Sequence, residues 1–500
     1  MLILAALFHL MVADPTVHVH QGDLRGVTLE DGGAVYRGVP YARPPVGDLR
    51  WHDPLPPESW TGVRSADHFA PACMQTGTSM PDEAPTPVSE DCLYLNIWVP
   101  QDAGDRPLPV IVWIHGGGFV NGATAAPVYD GAGLARHGAI VVTISYRLGL
   151  LGFLAHPELT AEADGVGSGN YGLMDQIAAL EWVRDNIAAF GGDPDRVTIA
   201  GQSAGATSVT ILMASPRARG LFQRAIAQSG GLFEPIELAP RYRLPASEAE
   251  GLAFATAMGA ETLDELRLIP AETIASAPQN RRAHPTLEGR VLPRAPFDVF
   301  VAGDQARVPL LLGFNADEAR SLSRFDDVTD LEAEVQRRWG DLPPALIDPY
   351  RALPPSEGMA AFERDLRFGW DIWRWARLQT DSGSPAWLYH FERVPPVPSD
   401  AVQAHWQAGH FVDLWYMFDS LDQHPWAWTH EDHRLADLMA GSWVRFARTG
   451  DPNPSDDVFW PVFAGPEGPA LILDATPKVG DLPNVEALKA FDRVYDSLRQ

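Results

Sequence analysis

Five hundred residues exceed one ordinary domain of about 100–200 residues, so the chain holds two or three domains or one large fold with insertions. It is 46% hydrophobic and 21% charged, which excludes a disordered or fibrous chain and supplies ample apolar material for a core. Lys and Arg total 38 against 65 Asp and Glu, a formal net charge of −27, and a surface this acidic repels nucleic-acid phosphates and anionic lipid.

The chain opens on an apolar run, MLILAALFHLMVA, that stops at Asp14-Pro15. A helix needs about 20 residues to span a bilayer, so residues 1–13 are too few to cross one. Their length, and Ala13 at the end, read as the core and cleavage edge of a signal peptide. No Lys or Arg precedes the run, and a buried N-terminal segment is the alternative. No later stretch reads as a membrane helix.

Residues 76–89, rich in Pro, Thr and Ser, form a loop between Cys73 and Cys92, the chain's two cysteines. Their spacing alone fits no tetrahedral metal cluster, and neither metal nor cofactor is expected. The apolar runs 109–115 and 139–146 read as buried strands. Residues 175–190 carry Ile177, Leu180, Val183 and Ile187 at helical spacing. A third strand is expected at 196–200, a helix at 206–215, a fourth strand within 222–230 and a fifth at 308–315. Strands alternating with helices predict an α/β fold whose mostly parallel sheet is covered on both faces. Regions 232–307 and 319–385 break the alternation. No long linker isolates them, so they read as insertions on one sheet scaffold, and residues 14–500 as one domain.

Gly201-Gln202-Ser203-Ala204-Gly205 matches G-x-S-x-G. By composition alone about 0.2 chance matches are expected in a chain of this length, so the motif by itself is weak. Its setting between a strand and a helix is what a nucleophile elbow requires. There the chain turns sharply, presents the Ser203 hydroxyl at the carboxyl end of the sheet, and aims a helix N-terminus at the reaction site. His115-Gly116-Gly117-Gly118-Phe119 follows the first buried strand directly, and successive glycines let backbone N–H groups converge on an anion. Acyl transfer needs such donors as charge develops on the carbonyl oxygen, and one donor is worth about 3–4 kcal/mol of barrier. The N–H groups of Gly117, Gly118 and Ala204 are the candidates for an oxyanion hole.

Several long segments now resemble one family in its own order: RGVPYARPPVGDLRW (37–51), SEDCLYLNIWVP (89–100), WIHGGGF (113–119), SYRLGLLGFLA (145–155), 169–194, GQSAGA (201–206), AIAQSGG (225–231) and FARTGDPNP (446–454). The chain resembles the type-B carboxylesterases, the carboxylesterase and cholinesterase group of α/β-hydrolases, from near residue 20 to near 465. The resemblance implies that fold, insertions around an active-site gorge, and a serine, glutamate and histidine in that chain order.

The residues agree with that order less sharply. Asp317 and Glu318 both follow the fifth strand, and being adjacent they point apart. The family segment N-x-D-E-G resembles Asn315 to Ala319 and places the acid at Glu318, with Ala319 in place of glycine and Asp317 as the fallback. Of the later histidines, His390 lies in the strand-like segment 385–391. His405 and His410 fall on the loop after it, and His424, His430 and His433 among polar, Trp-rich turns. The family pattern H-x-x-E-[LI]-x-[FY]-x-F resembles His410 to Phe418, with Asp413 for glutamate and Phe411 where glycine is common. The triad implied is Ser203, Glu318 and His410, acting on a carboxylic ester through an acyl-enzyme.

The resemblance further implies a disulfide between Cys73 and Cys92, and structural ion pairs between Arg50 and Glu90 and between Arg147 and Asp175. With the signal-like N-terminus, the disulfide points to a secreted or periplasmic protein. Gln202 stands where the family commonly has glutamate, and the 73–92 loop has no Trp where cholinesterases carry a cation-binding one. Both features point to an uncharged ester as the small-molecule partner. Nine of the 16 Trp lie between Trp370 and Trp443, either walling a substrate gorge or packing the core. An Asn453-Pro454-Ser455 sequon is blocked by its proline, and the absence of others fits a bacterial source. The alternatives are an amidase or a toxin- or polyester-degrading hydrolase on the same triad, or a non-catalytic adhesion protein on the same fold.

Overall fold

The computed structural model describes residues 14–78, 86–101, 106–454 and 459–500. The apolar segment 1–13 and the middle of the 76–89 loop lie outside them. One sheet of eleven strands organises the described residues. In chain order its strands are β1 (Val27–Thr28), β2 (Ala34–Pro40), β3 (Tyr94–Val99), β4 (Leu108–Ile114), β5 (Ile140–Ile144) and β6 (Gly192–Gln202). They continue with β7 (Arg224–Gln228), β8 (Leu310–Asn315), β9 (Ala386–Phe391), β10 (Ala470–Leu473) and β11 (Lys478–Gly480). The spatial order is β11-β10-β9-β8-β7-β6-β4-β5-β3-β2-β1. From β10 to β5 the neighbours run parallel; β11 and the β3-β2-β1 edge are antiparallel.

The helices that matter below are α1 (Tyr171–Asn186), α2 (Ala204–Ala214), α3 (Leu244–Met258), α4 (Pro355–Arg364), α5 (Trp370–Asp381), α6 (Val412–Met417), α7 (His430–Thr449) and α8 (Val485–Leu498). Strand β4 shows why the central strands read as unbroken apolar runs. Val110, Val112 and Ile114 join the core on one face, with α1, α2 and α5, while Ile111 and Trp113 join the core on the other, with α6 and α7. A parallel strand with helices over both faces has no polar side.

Each strand and helix expected from the apolar runs is present within a few residues of its expected bounds. The first helix starts four residues early, at Tyr171, and its second residue, Gly172, packs against the Arg147 carbonyl, which would lie 2.5 Å from a Cβ there. It stops as an α-helix at Asn186, and Ile187–Phe190 continues as a 3₁₀ turn closed by Gly191 at φ 84°. Regions 232–307 and 319–385 are largely helical, including α3, α4 and α5. His430 and His433 are not in turns: they lie on α7, which Thr429 opens by accepting from the Asp432 N–H while Asp432 accepts from the Thr429 N–H. Eight of the nine clustered Trp are buried, Trp370, Trp373 and Trp375 on one face of the sheet and the rest on the other, and Trp428 is half-buried. Core packing, not a gorge wall, is what they do.

Cys73 and Cys92 are joined in a disulfide. Arg50 meets Glu90 with two hydrogen bonds, at 2.7 and 2.6 Å. No helix among the described residues is long and apolar enough to cross a membrane. Arg147 donates to Asp175 from Nε and Nη2, each at 2.8 Å, and from its backbone N–H at 3.0 Å, with Asp175 wholly buried. Removing one charge of such a pair strands the other. Asp175→Asn is therefore expected to lower unfolding stability by ~3 kcal/mol or more. Urea denaturation of the two proteins measures it, and an unchanged midpoint would refute the assignment.

Candidate active site

Strand β6 ends at Gln202 and α2 begins at Ala204, leaving Ser203 alone at the corner with φ 57° and ψ −123°. Such a conformation costs a non-glycine residue about 1–3 kcal/mol and persists only where its surroundings over-determine it. Here they do. The Ser203 N–H donates to the Gln228 carbonyl at 2.9 Å, so sheet pairing with β7 continues into the strained residue, and the Ser203 carbonyl accepts from Thr207. The flanking backbones touch: a Cβ on Gly205 would lie 2.0 Å from the Ile114 carbonyl oxygen, and one on Gly230 would lie 2.4 Å from that of Ser203.

Strands β4 and β6 pair in parallel with Ile114 opposite Gly201, so the glycine loop leaves β4 beside the elbow. A Cβ on Gly116 would stand 3.0 Å from the Ser203 Cβ. The Gly117 carbonyl accepts from the N–H groups of Val120 and Asn121, which curls the loop. Gly117 at φ 105° has no room for a side chain, since a Cβ would lie 2.1 Å from the Asn121 oxygen. Among the described residues no group accepts from the Gly117 or Gly118 N–H, and Ala204 opens α2, where the first N–H groups lack intrahelical acceptors. His115 is structural: its ring stacks on Tyr146 at 4.5 Å and its Nδ1 lies 2.8 Å from the Gly116 carbonyl. Burial pushes its pKa down to about 4, so it is neutral.

Strand β8 delivers a buried carboxyl. Glu318 begins a 3₁₀ turn, Glu318–Ser321, with Oε2 at 2.5 Å from His410 Nδ1 and Oε1 accepting from the Asn315 N–H at 2.7 Å. Asp317 turns away, pairing with Arg320 and accepting from the Ala408 N–H. Ala319 keeps a negative φ, so the family's glycine is not required there.

His410 is held on all sides. Its N–H donates to Ser321 Oγ at 2.8 Å, and its carbonyl accepts from Gln202 Nε2 at 2.7 Å. Phe368 stacks on its ring at 4.4 Å, and Phe411 meets the ring at 4.9 Å from the side. Phe368 belongs to a π-helical turn, Asp365–Gly369, between α4 and α5. Because Gln202 precedes Ser203, the His410 loop is docked on the elbow itself. Nδ1 faces Glu318, which leaves Nε2 as the nitrogen available for chemistry. His390, by contrast, is buried in β9 against Phe314, and burial pushes its pKa down to about 3.

Sequence reasoning missed Phe368, for which the sequence carries no signal, and the roles of Gln228 and Asn315. Each of these two is a polar residue closing an apolar strand, and that break was visible. They reach Asp413, which accepts from Gln228 Nε2 at 2.7 Å, from Tyr389 Oη at 2.9 Å and from Asn315 Nδ2 at 3.1 Å. Asp413 is wholly buried, and burial together with the nearby Glu318 pushes its pKa up to about 6 despite these donors. A carboxyl whose pKa is raised on folding stabilises the fold at low pH and loses that contribution as pH rises through the folded value. Asp413→Asn is therefore expected to gain ~3 kcal/mol relative to the unmodified protein between about pH 4 and about pH 8. Chemical denaturation at both pH values tests this, and a pH-independent difference would contradict it.

The sequence pattern of the carboxylesterase family matches residues 13–341 and 353–491. The fumonisin B1 esterase of Sphingopyxis macrogoltabida is 38% identical over 469 residues, covering 89% of this chain and 84% of that one. The para-nitrobenzyl esterase of Bacillus subtilis is 36% identical over 505 residues, covering 94% and 97%. A solved thermophilic para-nitrobenzyl esterase superposes with a TM-score of 0.84 at 34% identity, covering 96% of this chain and all of that one. With an α/β-hydrolase sheet and these relatives along nearly its whole length, the chain belongs to the carboxylesterase family and is a carboxylic ester hydrolase.

Proposed function

We propose that ester hydrolysis proceeds through an acyl-enzyme on Ser203, with His410 as general base and acid, Glu318 as its orienting carboxylate, and the N–H groups of Gly117, Gly118 and Ala204 as the oxyanion hole. The observation that carries this reading is the buried Glu318–His410 contact at 2.5 Å, on a loop tied to the residue before Ser203. His410 Nε2 takes the hydroxyl proton as Ser203 Oγ attacks the ester carbonyl, and Glu318 fixes the tautomer and stabilises the imidazolium. Charge moves to the carbonyl oxygen, where the glycine-loop and Ala204 N–H groups face it. The alcohol departs with the proton from His410, and water then hydrolyses the acyl-enzyme by the same steps.

The substrate fits best as an uncharged ester. Gln202 places no negative charge beside the nucleophile, and the 73–92 segment has no Trp to hold a quaternary cation. The relatives carry differing names, a fumonisin B1 esterase and a para-nitrobenzyl esterase, and the helical insertions 232–307 and 319–385 are the regions we expect to set substrate choice in this chain. The apolar first thirteen residues and the disulfide support export to an oxidising compartment.

With para-nitrophenyl acetate, Ser203→Ala is expected to abolish the acylation burst and lower kcat by at least ~10⁴-fold, and Glu318→Gln to lower it by roughly 10²–10⁴-fold. Stopped-flow release of para-nitrophenol measures both. Hydrolysis by Ser203→Ala at the unmodified rate would overturn the reading.

A further inference from the structure

Gln202, Gln228 and Asn315 are the last residues of β6, β7 and β8, three adjacent parallel strands, and Gln202 and Gln228 are register partners. All three side chains are wholly buried. Their amide nitrogens serve one segment, 409–413. Gln202 Nε2 donates to the His410 carbonyl at 2.7 Å and Gln228 Nε2 to Asp413 at 2.7 Å, while Asn315 Nδ2 donates to the Gly409 carbonyl at 2.7 Å and to Asp413 at 3.1 Å. Among the described residues no group donates to their three amide oxygens. A buried polar atom without a partner is unfavourable, so these residues are held in place by their nitrogens and not by their oxygens. The segment they face presents two carbonyl oxygens and the Asp413 carboxyl, whose ionised form only accepts.

We propose that these three carboxamides form a donor clamp that positions His410 against Ser203, and that in this chain Gln202 needs its amide because, among the described residues, it is the one donor that ties the His410 carbonyl to the elbow. This rests on His410 being the general base. Gln202 is a positioning residue: it touches neither the reacting atoms nor Nε2. It sets the height of the imidazole over the hydroxyl, where a displacement of about 1 Å costs roughly 100-fold in rate. Gln in place of the family's common glutamate thus acts on the base as well as on the charge beside the nucleophile. A carboxylate here would face a carbonyl oxygen at hydrogen-bond distance, and only its protonated form could donate.

Two variants test the clamp, Gln202→Met, of similar length with no donor, and Gln202→Glu, of the same shape with a donor only when protonated. Both are compared with the unmodified enzyme on a para-nitrophenyl ester from about pH 5.5 to about pH 9. The other titratable groups around the platform are Glu318, His410, Asp413 and Tyr389, with His115 behind the glycine loop, and taking the ratio to the unmodified enzyme at each pH removes their contribution. Gln202→Met is expected to lower kcat about 10–100-fold at every pH with KM within about two-fold. Gln202→Glu is expected to show the same loss at high pH, with its ratio recovering several-fold as pH falls and the buried carboxyl takes up a proton. A folded Gln202→Met with unmodified kcat, or a Gln202→Glu ratio that stays flat with pH, overturns the proposal. Loss of folding in both variants overturns it too, by assigning the contact to the fold rather than to the base. His410→Ala separates the two readings: if it stays active, the base assignment fails and the clamp with it, whereas an inactive His410→Ala beside a fully active Gln202→Met rejects the clamp alone.

Discussion

The backbones of β4 and α2 approach so closely at Gly205 that one added carbon would lie 2.0 Å from the Ile114 oxygen, and the rest of the site hangs on that approach. Strand order reverses between β5, β4 and β6, and at such a reversal the loops leaving neighbouring strands diverge to opposite faces and open a crevice. The nucleophile elbow leaves one side of it and the glycine loop the other. Because the two strands are paired residue by residue, with Ile114 opposite Gly201, the relation between Ser203 and the Gly117 and Gly118 N–H groups is set by sheet hydrogen bonds and not by loop packing. The strain at Ser203 is sustained by the same pairing, since its N–H is bonded as though β6 had not ended.

The electrostatics follow from depth. Glu318 and Asp413 are both wholly buried, and among the described residues the side-chain and backbone groups hydrogen-bonded to them include no Lys or Arg. Two carboxyls in one low-dielectric site cannot both ionise cheaply, and the arrangement divides the tasks between them. Glu318 faces the His410 imidazole, which in the proposed mechanism becomes positively charged during turnover. Asp413 faces amides and a phenol, and carries the raised pKa.

Much of this was legible in the residues. Apolar runs closed by Gly or Ser located β4 and β6 and their loops, because a strand covered on both faces leaves an unmistakable block of Val, Ile and Trp. The strands β1, β10 and β11 are four residues or fewer, too short to show a period, whereas the six-residue β3 and the 14-residue amphipathic α8 carry a pattern that sequence reasoning missed. Helix α7 was masked by its Trp and His content, although Thr429 and Asp432 spell a helix start. At the site, Ser203 could be read from local context. Glu318 could be separated from Asp317 only by resemblance, because two adjacent acids look alike until the backbone sends one inward. Gln228, Asn315 and Phe368 come from three separate strands and helices, and their convergence on segment 409–413 and on the His410 ring is a property of the assembled sheet and of no local sequence.

The π turn at Asp365–Gly369 ties the chemistry to the length of the chain. A π turn carries one residue more than an α turn, so everything after it is rotated by about 100° relative to an uninterrupted helix. That single extra residue lays Phe368 on His410 and also phases Trp370, Trp373 and Trp375 into the core beyond. Losing it would turn the three indoles out of the core as it withdrew the phenyl ring. The stretch 365–375 is therefore constrained in length as well as in side chain, since a one-residue change there moves a ring at the site and three indoles in the core together.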